Sequence, residues 1–207
     1  MTTTLYIARH GETEWNLAQK LQGHQDSPLT ARGRCQAESL AAALNNRQIT
    51  RVYSSDLGRA LQTARVVTEH LGVELIIDKR LRERNFGILE GKTKAELDEG
   101  LLQERFRSHD PDYVIPGGES FRQVYERSVA CLEELVEQNG HAAFAVICHG
   151  GIVNGAFYRA LELPLNHPRH FSLNNASMNR ISVVDGKWFL DIWGDVSHLN
   201  AQHQSDT

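Results

Sequence analysis

Several features that assign a chain to a special class are scarce or missing in this 207-residue sequence. No apolar run approaches the ~20 residues that span a bilayer, and the N-terminus lacks the basic and apolar segments of a secretory signal. The three cysteines have no CxxC spacing, which favours structural thiols in a reducing, cytoplasmic compartment. The net charge of −4 gives no excess of basic residues that would indicate binding to nucleic acid or to an anionic membrane. A local cluster of Arg and His can still bind a small anionic substrate.

Internal repeats, low-complexity tracts and linker-like stretches are also missing, and 41% of the residues are hydrophobic, which is enough for one sizeable core. We therefore expect a single α/β domain over residues 1–207. The predicted strands are 4–8, 51–54, 74–77 and 144–148, followed by a hairpin of 179–184 and 187–192 about Asp185-Gly186. The predicted helices are 31–45 after a Thr30 cap, 57–71 before Gly72, 121–138 after a Ser120–Gln123 capping box, and 152–163, with a polar, irregular stretch at 12–28.

Because strands alternate with helices, the sequence predicts a mostly parallel sheet covered by helices on both faces. Two of the apolar strands end in chemically suggestive residues. Arg9-His10-Gly11 follows the first strand, and His149-Gly150-Gly151 follows strand 144–148. In open α/β sheets, ligands bind outside the carboxyl ends of strands, at a switch point of the topology. His10 and His149 are therefore predicted to be neighbours.

Each of these residues is ordinary when taken alone, since a histidine after a strand or an arginine in a helix is commonly structural. The combination suits phosphoryl transfer, which depends on positioning and on stabilising anionic oxygens. Arg9 and Arg59 can supply planar forks that bind phosphate through two parallel bonds. His149 can donate a further bond, and Gly150 lets backbone N–H groups approach at a helix start.

Phosphoryl transfer also needs a nucleophile and a proton carrier. A neutral imidazole acts near pH 7 without a metal when its other nitrogen is held as a donor, which makes His10 the candidate nucleophile. One carboxyl group can protonate the leaving alkoxide and then activate water. Glu83 is the candidate for both tasks, with Asp56 and Glu12 as weaker alternatives.

Motifs along nearly the whole chain resemble, in order, those of the histidine phosphatase superfamily, the group that includes cofactor-dependent phosphoglycerate mutase. Arg9-His10-Gly11-Glu12-Thr13, followed by Asn16, is similar to its RHGxTxxN signature. The other similar segments are Gln22-Gly23, 26–30 with Gly33, 53–60 with Thr63-Ala64, 81–83 with Gly87 and Glu90-Gly91, 117–120 and 149–151.

The resemblance implies a fold, a catalytic set and a substrate-binding set. The family fold is a three-layer α/β/α sandwich with a mostly parallel central sheet, and the family requires no metal or nucleotide. His10 would be the phosphorylated nucleophile and Glu83 the proton donor. The phosphate pocket would consist of Arg9, Arg59 and His149, and the substrate-binding set of Asn16, Gln22, Gly23 and the Gly150 backbone.

Two other chemistries compete for the same residues. The sequence has ten histidines, and a metal site could bring together His10, His24, His149 and His198. None of these shows the i, i+4 pairing or carboxylate spacing of zinc enzymes. Cys148 offers a thiol nucleophile, but its place at the end of an apolar strand favours a core position.

The family resemblance leaves a phosphatase, a mutase and an inactive scaffold to separate. The mutase has a longer insertion with extra Lys and Arg between the proton donor and the second histidine, whereas the interval from Glu83 to His149 is short here. Arg84 is mutase-like, but Phe86 stands where the mutase has Tyr and no Arg-Arg pair follows. We therefore expect hydrolysis of a small phosphate ester, with mutase activity as the alternative. The inactive scaffold is disfavoured because the residues that such a chain would be expected to lack are all present. They are His10, Arg59, Glu83 and His149.

Substrate choice is expected to depend on the variable region 92–116, and the patterns leave the substrate open. The basic side chains that are candidates for contacts with an acidic substrate are Lys92, Lys94, Arg105, Arg107 and His109, the alternative being a solvated helix face. The possibility of a homodimer also stays open.

Overall fold

The computed structural model describes residues 2–93, 95–97, 100, 110–168 and 170–200, in which strands and helices alternate as predicted. The strands are β1 (Thr2–Arg9), β2 (Ile49–Ser54), β3 (Glu74–Ile77), β4 (Ala143–Cys148), β5 (Met178–Val184) and β6 (Lys187–Asp195). The helices are α1 (Glu14–Leu17), α2 (Ala31–Leu44), α3 (Gly58–Leu71), α4 (Phe121–Asn139), α5 (Gly150–Ala160) and α6 (Ser197–Asn200), with 3₁₀ turns at Lys79–Leu81 and Gly87–Leu89. Across these described residues, no helix is both long and apolar enough to cross a membrane.

The strands form one sheet in the order β3-β2-β4-β1-β5-β6. β1 runs parallel to β4, and β2 runs parallel to both β4 and β3. β5 pairs antiparallel with β1 and β6 antiparallel with β5, so the predicted C-terminal hairpin forms one edge. Asp185 and Gly186 at its turn have φ values of 50° and 76°, as a tight two-residue hairpin turn requires. The predicted mostly parallel sheet is confirmed.

Apolar side chains alternate along the central strands and build a core on each face of the sheet. On one face, Leu5 and Ile7 pack with residues of α4 and α5. On the other face, Tyr6 and Ala8 pack with residues of α2 and α3. The predicted three-layer α/β/α sandwich is confirmed. The carboxyl ends of β1 and β4 lie between the two helical layers.

Helix boundaries follow the capping signals closely. The Thr30 side chain accepts a hydrogen bond from the Gly33 N–H at the start of α2. Ser120 and Gln123 form the predicted capping box of α4. The prediction for 152–163 is wrong at both ends, because α5 begins at Gly150 and ends at Ala160.

The stretch 12–28, predicted to be irregular, contains the short helix α1. Thr13 starts this helix with a capping box, in which its side chain accepts from the Asn16 N–H and the Asn16 side chain accepts from the Thr13 N–H. The usual box has Glu or Gln at the second position. Because Asn16 takes that place, the usual sequence pattern of a capping box does not match this segment, and the helix was not predicted.

The loop after β1 is packed against the start of α2 at two glycines. A methyl group on Gly11 would overlap the Gly33 carbonyl, and a methyl group on Gly33 would overlap the Glu12 carbonyl oxygen. Both obstacles are backbone atoms, which cannot swing aside as a flexible side chain does. The missing side chains therefore let the loop that follows β1 lie directly on α2.

We expect Gly33→Ala to lower the free energy of unfolding by about 1–3 kcal/mol, as overpacking of a closed contact does. Gly155→Ala is the matched control, because it is also a helical glycine but its added methyl meets first the Ser128 hydroxyl, at 3.3 Å, rather than backbone. Both substitutions gain about 1 kcal/mol of helix propensity. Urea denaturation of the two variants measures the difference. Equal stability of the two would show that the loop after β1 does not depend on this contact.

Candidate active site

The parallel pairing of β1 with β4 brings the two predicted histidines together. Arg9 stands opposite Cys148 in the register, and the His10 N–H donates to the Cys148 carbonyl over 2.9 Å. The centroids of the His10 and His149 rings are 5.3 Å apart. Residues that lie far apart in the sequence therefore meet at the carboxyl ends of two neighbouring strands, as predicted.

His10 is buried and held in one tautomer. Its Nδ1 lies 2.7 Å from the Gly11 carbonyl oxygen, and because a carbonyl can only accept, Nδ1 carries the proton. The lone pair of the neutral ring is then on Nε2. Burial, reinforced by the charges of Arg59 and Arg9, lowers the pKa of His10 well below its ordinary value. The ring is therefore neutral near pH 7.

His149 is buried against His10, and neither of its ring nitrogens has a hydrogen-bond partner among the residues that the structure describes. Burial is again the main cause that lowers its pKa well below the ordinary value, with Arg59 and His10 adding to the effect. Buried polar atoms are normally hydrogen-bonded. The two nitrogens of His149 thus have unused hydrogen-bonding capacity beside His10.

Arg59 is 1% exposed and held by acceptors on the loop before α2. Its Nη1 donates to the Gln25 carbonyl over 2.9 Å and to Asp26 over 3.1 Å, and its Nη2 donates to the Gly23 carbonyl over 2.8 Å. The Asp26 carboxylate also accepts from the Arg59 N–H. The remaining donor, Nε, has no partner in the described part of the chain. A buried guanidinium is thus fixed in position beside His10.

Arg9 is anchored from the opposite direction. Its Nη1 donates to the Leu173 carbonyl over 2.6 Å. The same segment continues to Asn175, whose Nδ2 donates to the His10 carbonyl over 3.0 Å and lies 3.3 Å from the Gly11 carbonyl. The loop before β5 therefore holds both the arginine and the peptide that orients the His10 ring.

Glu83 lies at the beginning of α5. Its carboxylate accepts from the Gly151 N–H, with Oε1 at 3.0 Å and Oε2 at 3.2 Å, and from the Arg84 N–H over 2.8 Å. A methyl group on Gly151 would overlap Oε1. Glycine at this position is therefore what lets the carboxylate reach the start of the helix that follows His149.

The predicted substrate-binding residues are held by local hydrogen bonds. The Asn16 Oδ1 accepts from Asn175 over 3.0 Å and from Thr13 over 3.1 Å. The Gln22 Nε2 donates to the Thr13 hydroxyl over 2.9 Å. Gly23 has a φ of 56°, and a methyl group there would overlap the Glu90 carboxylate. These contacts fix the loop between α1 and α2 along the side of the site.

A cavity of about 530 Å³ opens above these residues. The predicted residues that line it are Arg9, His10, Asn16, Gln22, Gly23, Arg59, Glu83 and Gly150. His149 is not part of this lining, but its ring lies beside that of His10. Eight of the predicted site residues therefore line one cavity, and their roles stay a prediction.

Other candidates are engaged elsewhere. Asp56 forms a bidentate pair with Arg82, at 2.7 and 2.6 Å, and this partner lowers the pKa of its carboxyl. Glu12 accepts from the Thr30 hydroxyl over 2.9 Å. Cys148 is buried in the core, and burial raises the pKa of its thiol well above the ordinary value.

Of the four histidines of the alternative metal site, His10 and His149 lie side by side, whereas the other two are each bonded to a backbone carbonyl. His24 and His198 bond through Nε2 to the carbonyl oxygens of Glu83 and Ala176, at 2.9 and 3.0 Å. Within the described ranges, no group of three or more His, Cys, Asp or Glu side chains is arranged to hold a metal ion.

The basic candidates of region 92–116 are mostly outside the described residues. Lys94, Arg105, Arg107 and His109 belong to the part of that region that the structure does not describe. Lys92 is described, and its carbonyl accepts from the Leu21 N–H over 3.0 Å.

Three residues that position the site were not singled out as site residues by the sequence. Asn175 braces the His10 peptide, Asp26 braces Arg59, and the Thr63 hydroxyl accepts from the Gly11 N–H over 3.1 Å. Asp26 and Thr63 lie in segments that resemble family motifs, whereas Asn175 stands in a polar loop whose only signal is the pair Asn174-Asn175.

Known proteins match this chain over nearly its whole length. The model of the histidine phosphatase superfamily (branch 1) matches residues 5–196. A curated relative, the probable phosphoglycerate mutase GpmB of Proteus mirabilis, is 37% identical over 202 residues, which cover 94% of this chain and 94% of the relative.

Solved structures agree in fold. A mycobacterial glucosyl-3-phosphoglycerate phosphatase, in complex with VO3, has a TM-score of 0.84 at 32% identity and covers 92% of this chain and 98% of its own. A phosphoserine phosphatase from Entamoeba histolytica has a TM-score of 0.85 at 29% identity, covering 95% of this chain and 99% of its own. The matched family model and these relatives show that the chain belongs to branch 1 of the histidine phosphatase superfamily, whose members handle the phosphoryl groups of small phosphate esters.

Proposed function

We propose that this protein is a metal-independent phosphomonoesterase that hydrolyses a small phosphate ester through a phosphohistidine on His10. The observation that carries the proposal is the state of His10, a buried neutral imidazole whose Nδ1 is held by the Gly11 carbonyl and whose Nε2 bears the lone pair. A nucleophile of this kind attacks at neutral pH without prior loss of a proton.

In the first half-reaction, the His10 Nε2 attacks phosphorus, the N–P bond forms and the P–O bond to the alcohol breaks. Arg9 and Arg59 stabilise the charge on the transferred oxygens, and His149 donates a further hydrogen bond. The backbone N–H of Gly150, the Asn16 amide and the Gln22–Gly23 loop complete the pocket. Glu83 gives its proton to the leaving alkoxide.

In the second half-reaction, water attacks the phosphohistidine. Glu83, now a carboxylate, takes a proton from that water, the N–P bond breaks, and inorganic phosphate leaves with the His10 ring neutral again. One carboxyl group thus serves as acid and then as base. Its attachment to the Gly151 N–H supports this pair of roles, because the group stays in place while its proton moves.

Hydrolysis is favoured over mutase activity by the surroundings of Arg84. This arginine donates to the Glu119 carbonyl over 2.8 Å and to the Tyr113 carbonyl over 3.2 Å. A guanidinium that holds two backbone carbonyls offers fewer donors to a second acidic group on a substrate. The mutase alternative is supported by the names of curated relatives, that of Proteus mirabilis among them, and by a phosphoglycerate mutase among the solved structures, whereas the phosphatases among the solved structures support hydrolysis.

An inactive scaffold is the third alternative, and the complete set of site residues disfavours it. The single domain over 1–207 and the cytoplasmic location stay predictions. The three cysteines, which are free thiols, agree with the reducing compartment from which the location was predicted.

We expect His10→Ala to abolish acid-labile labelling of the protein by a phosphate ester carrying radioactive phosphorus, because the proposed nucleophile is then removed. His70→Ala is the matched control, since His70 is an exposed residue of α3 outside the cavity. Phosphorus retained on the His10→Ala protein after rapid quench would contradict the assignment. Product analysis with phosphoglycerate, with and without bisphosphoglycerate, separates hydrolysis from a mutase reaction.

We expect Glu83→Gln to slow turnover of alkyl phosphates by about 10²–10⁴-fold, the usual size of general-acid assistance. The loss for p-nitrophenyl phosphate should be much smaller, because nitrophenolate leaves without a proton. The amide can still accept from the Gly151 N–H, so the loop geometry is preserved. Steady-state kinetics with both esters give the comparison, and equal losses would remove Glu83 from the role of acid.

Binding of a dianion should take up protons at mildly acidic pH, between the lowered pKa values of the free site and the higher pKa values of the complex. In the free site, burial and the two guanidinium groups hold the pKa values of His10 and His149 below their ordinary value. A dianion stabilises the charged imidazolium, so each pKa rises on binding and protons are taken from solution. Sulfate is the suitable probe, because it does not titrate itself in this range. Calorimetry in two buffers of different ionisation enthalpy should give a pH-dependent uptake that His149→Asn reduces, whereas identical heats would contradict this account.

A further inference from the structure

The cavity extends well beyond the residues proposed to hold the phosphoryl group. Its outer wall comes from the segment 84–86, the chain before α4, the first turn of α4, α5, and the chain between α5 and β5. The apolar side chains of this wall are Phe86, Ile115, Phe121, Val124, Leu165 and Leu173. Whatever alcohol is released must lie against this wall, because the phosphoryl end is already lined by His10, Arg9 and Arg59.

Charged groups contribute little to the outer wall. Of the described residues that line the cavity, Glu83 alone has a carboxyl group, and it stands at the phosphoryl end. The guanidinium of Arg84 is occupied by the Glu119 and Tyr113 carbonyls and lies 5.9 Å from the centre of the Phe86 ring. The ammonium of Lys20 lies over the Trp15 ring, at 5.8 Å. Among the described residues, this wall therefore holds no carboxylate for a substrate amino group, and its two cations, Arg84 and Lys20, already contact other groups of the protein.

Asn154 is a polar side chain of this wall, as are Tyr113, Tyr158 and His167. Asn154 is 8% exposed, its Oδ1 is buried without a hydrogen-bond partner in the described part of the chain, and the residue lines the cavity. It stands on α5 one turn before Tyr158, whose hydroxyl donates to the His167 carbonyl over 2.5 Å. A buried amide without a partner is unfavourable. An amide can meet either a donor or an acceptor after rotation, so a neutral ligand group suffices.

We propose that the alcohol released by this enzyme has an apolar body carrying one neutral hydroxyl or carbonyl group, which hydrogen-bonds to the Asn154 amide. This proposal rests on the phosphatase function proposed above and assigns the outer cavity as the pocket for the leaving alcohol. The apolar wall takes the body by burial, and Asn154 selects among bodies of similar size. Compact polyanionic esters and zwitterionic esters are then poor substrates.

The first test measures kcat/KM for straight-chain alkyl phosphates from ethyl to hexyl. The leaving alkoxides of this series are chemically alike. Differences in kcat/KM therefore report how well the alkyl group of the ester binds. We expect about a fourfold rise for each methylene that enters the pocket. Phe121→Ala should flatten the rise, whereas Phe189→Ala, an exposed aromatic of β6 outside the cavity, should leave it as in the unmodified protein. A flat series for the unmodified protein would overturn the proposal.

The second test compares each ω-hydroxyalkyl phosphate with the alkyl phosphate that has a methyl group in place of the hydroxyl. At the length where the hydroxyl reaches Asn154, the hydroxylated ester should be preferred by about fivefold, the worth of one neutral hydrogen bond. Asn154→Leu should remove this preference while the rise with chain length persists. A methyl preference at every length in the unmodified protein would overturn the role of Asn154, and this outcome does not depend on the folding of any variant.

Failure of this proposal can be distinguished from failure of the phosphatase function. If His10 is labelled and p-nitrophenyl phosphate is hydrolysed, but neither series shows the expected trend, the leaving-alcohol pocket is wrong and the phosphatase stands. If no ester labels His10, the phosphatase proposal itself fails.

Discussion

The parallel pairing of β1 with β4 is the constraint on which the rest of the site depends. It places the end of one strand against the end of the other, so that His10 is tied to Cys148 by a backbone hydrogen bond and its ring lies beside that of His149. Neither histidine is on a long loop of its own. Their separation follows from the spacing of two strands in a sheet whose cores on both faces hold it in place. Rigid placement of this kind is what a site for phosphoryl transfer needs, because positioning supplies much of the catalysis.

Burial and charge act together on the two histidines. Removal from water disfavours the charged form of each ring, and the neighbouring guanidinium groups disfavour it further. The result is a pocket that is positive through its arginines while both imidazoles are neutral. The cavity lining therefore combines fixed positive charge with an available lone pair on His10, and the nitrogens of the adjoining His149 have no partner among the described residues.

The motif residues were predictable from the sequence because each belongs to a short local pattern at the end of a strand or the start of a helix. The mostly parallel sheet and the meeting of His10 with His149 followed from the alternation of strands and helices together with the rule for ligand sites in parallel sheets, whereas the order of the strands came only from the structure. Asn175 and Asn154 were not predictable, because their roles depend on contacts with chain segments that are distant in sequence. Arg84 was singled out for its charge, yet its donors are directed at the Glu119 and Tyr113 carbonyls, which only the folded chain reveals. The sequence therefore predicted which residues carry the chemistry of the site. It did not predict which tertiary contacts each side chain makes.

The hydrogen bonds of the Arg59 side chain to the loop before α2 have a consequence for how activity can be lost in this family. Its guanidinium holds the Gln25, Asp26 and Gly23 oxygens at once, so the conformation of the loop before α2 depends on an arginine of α3. Removal of this side chain would take a donor from the Gln25 and Gly23 carbonyls and leave Asp26 bonded to backbone N–H groups, in addition to removing a positive charge from the cavity lining. A descendant that drifted into a non-enzymatic role would therefore be under structural pressure to keep Arg59. Such a chain would more readily change His10 or Glu83, and the persistence of the arginine alone says little about whether catalysis survives.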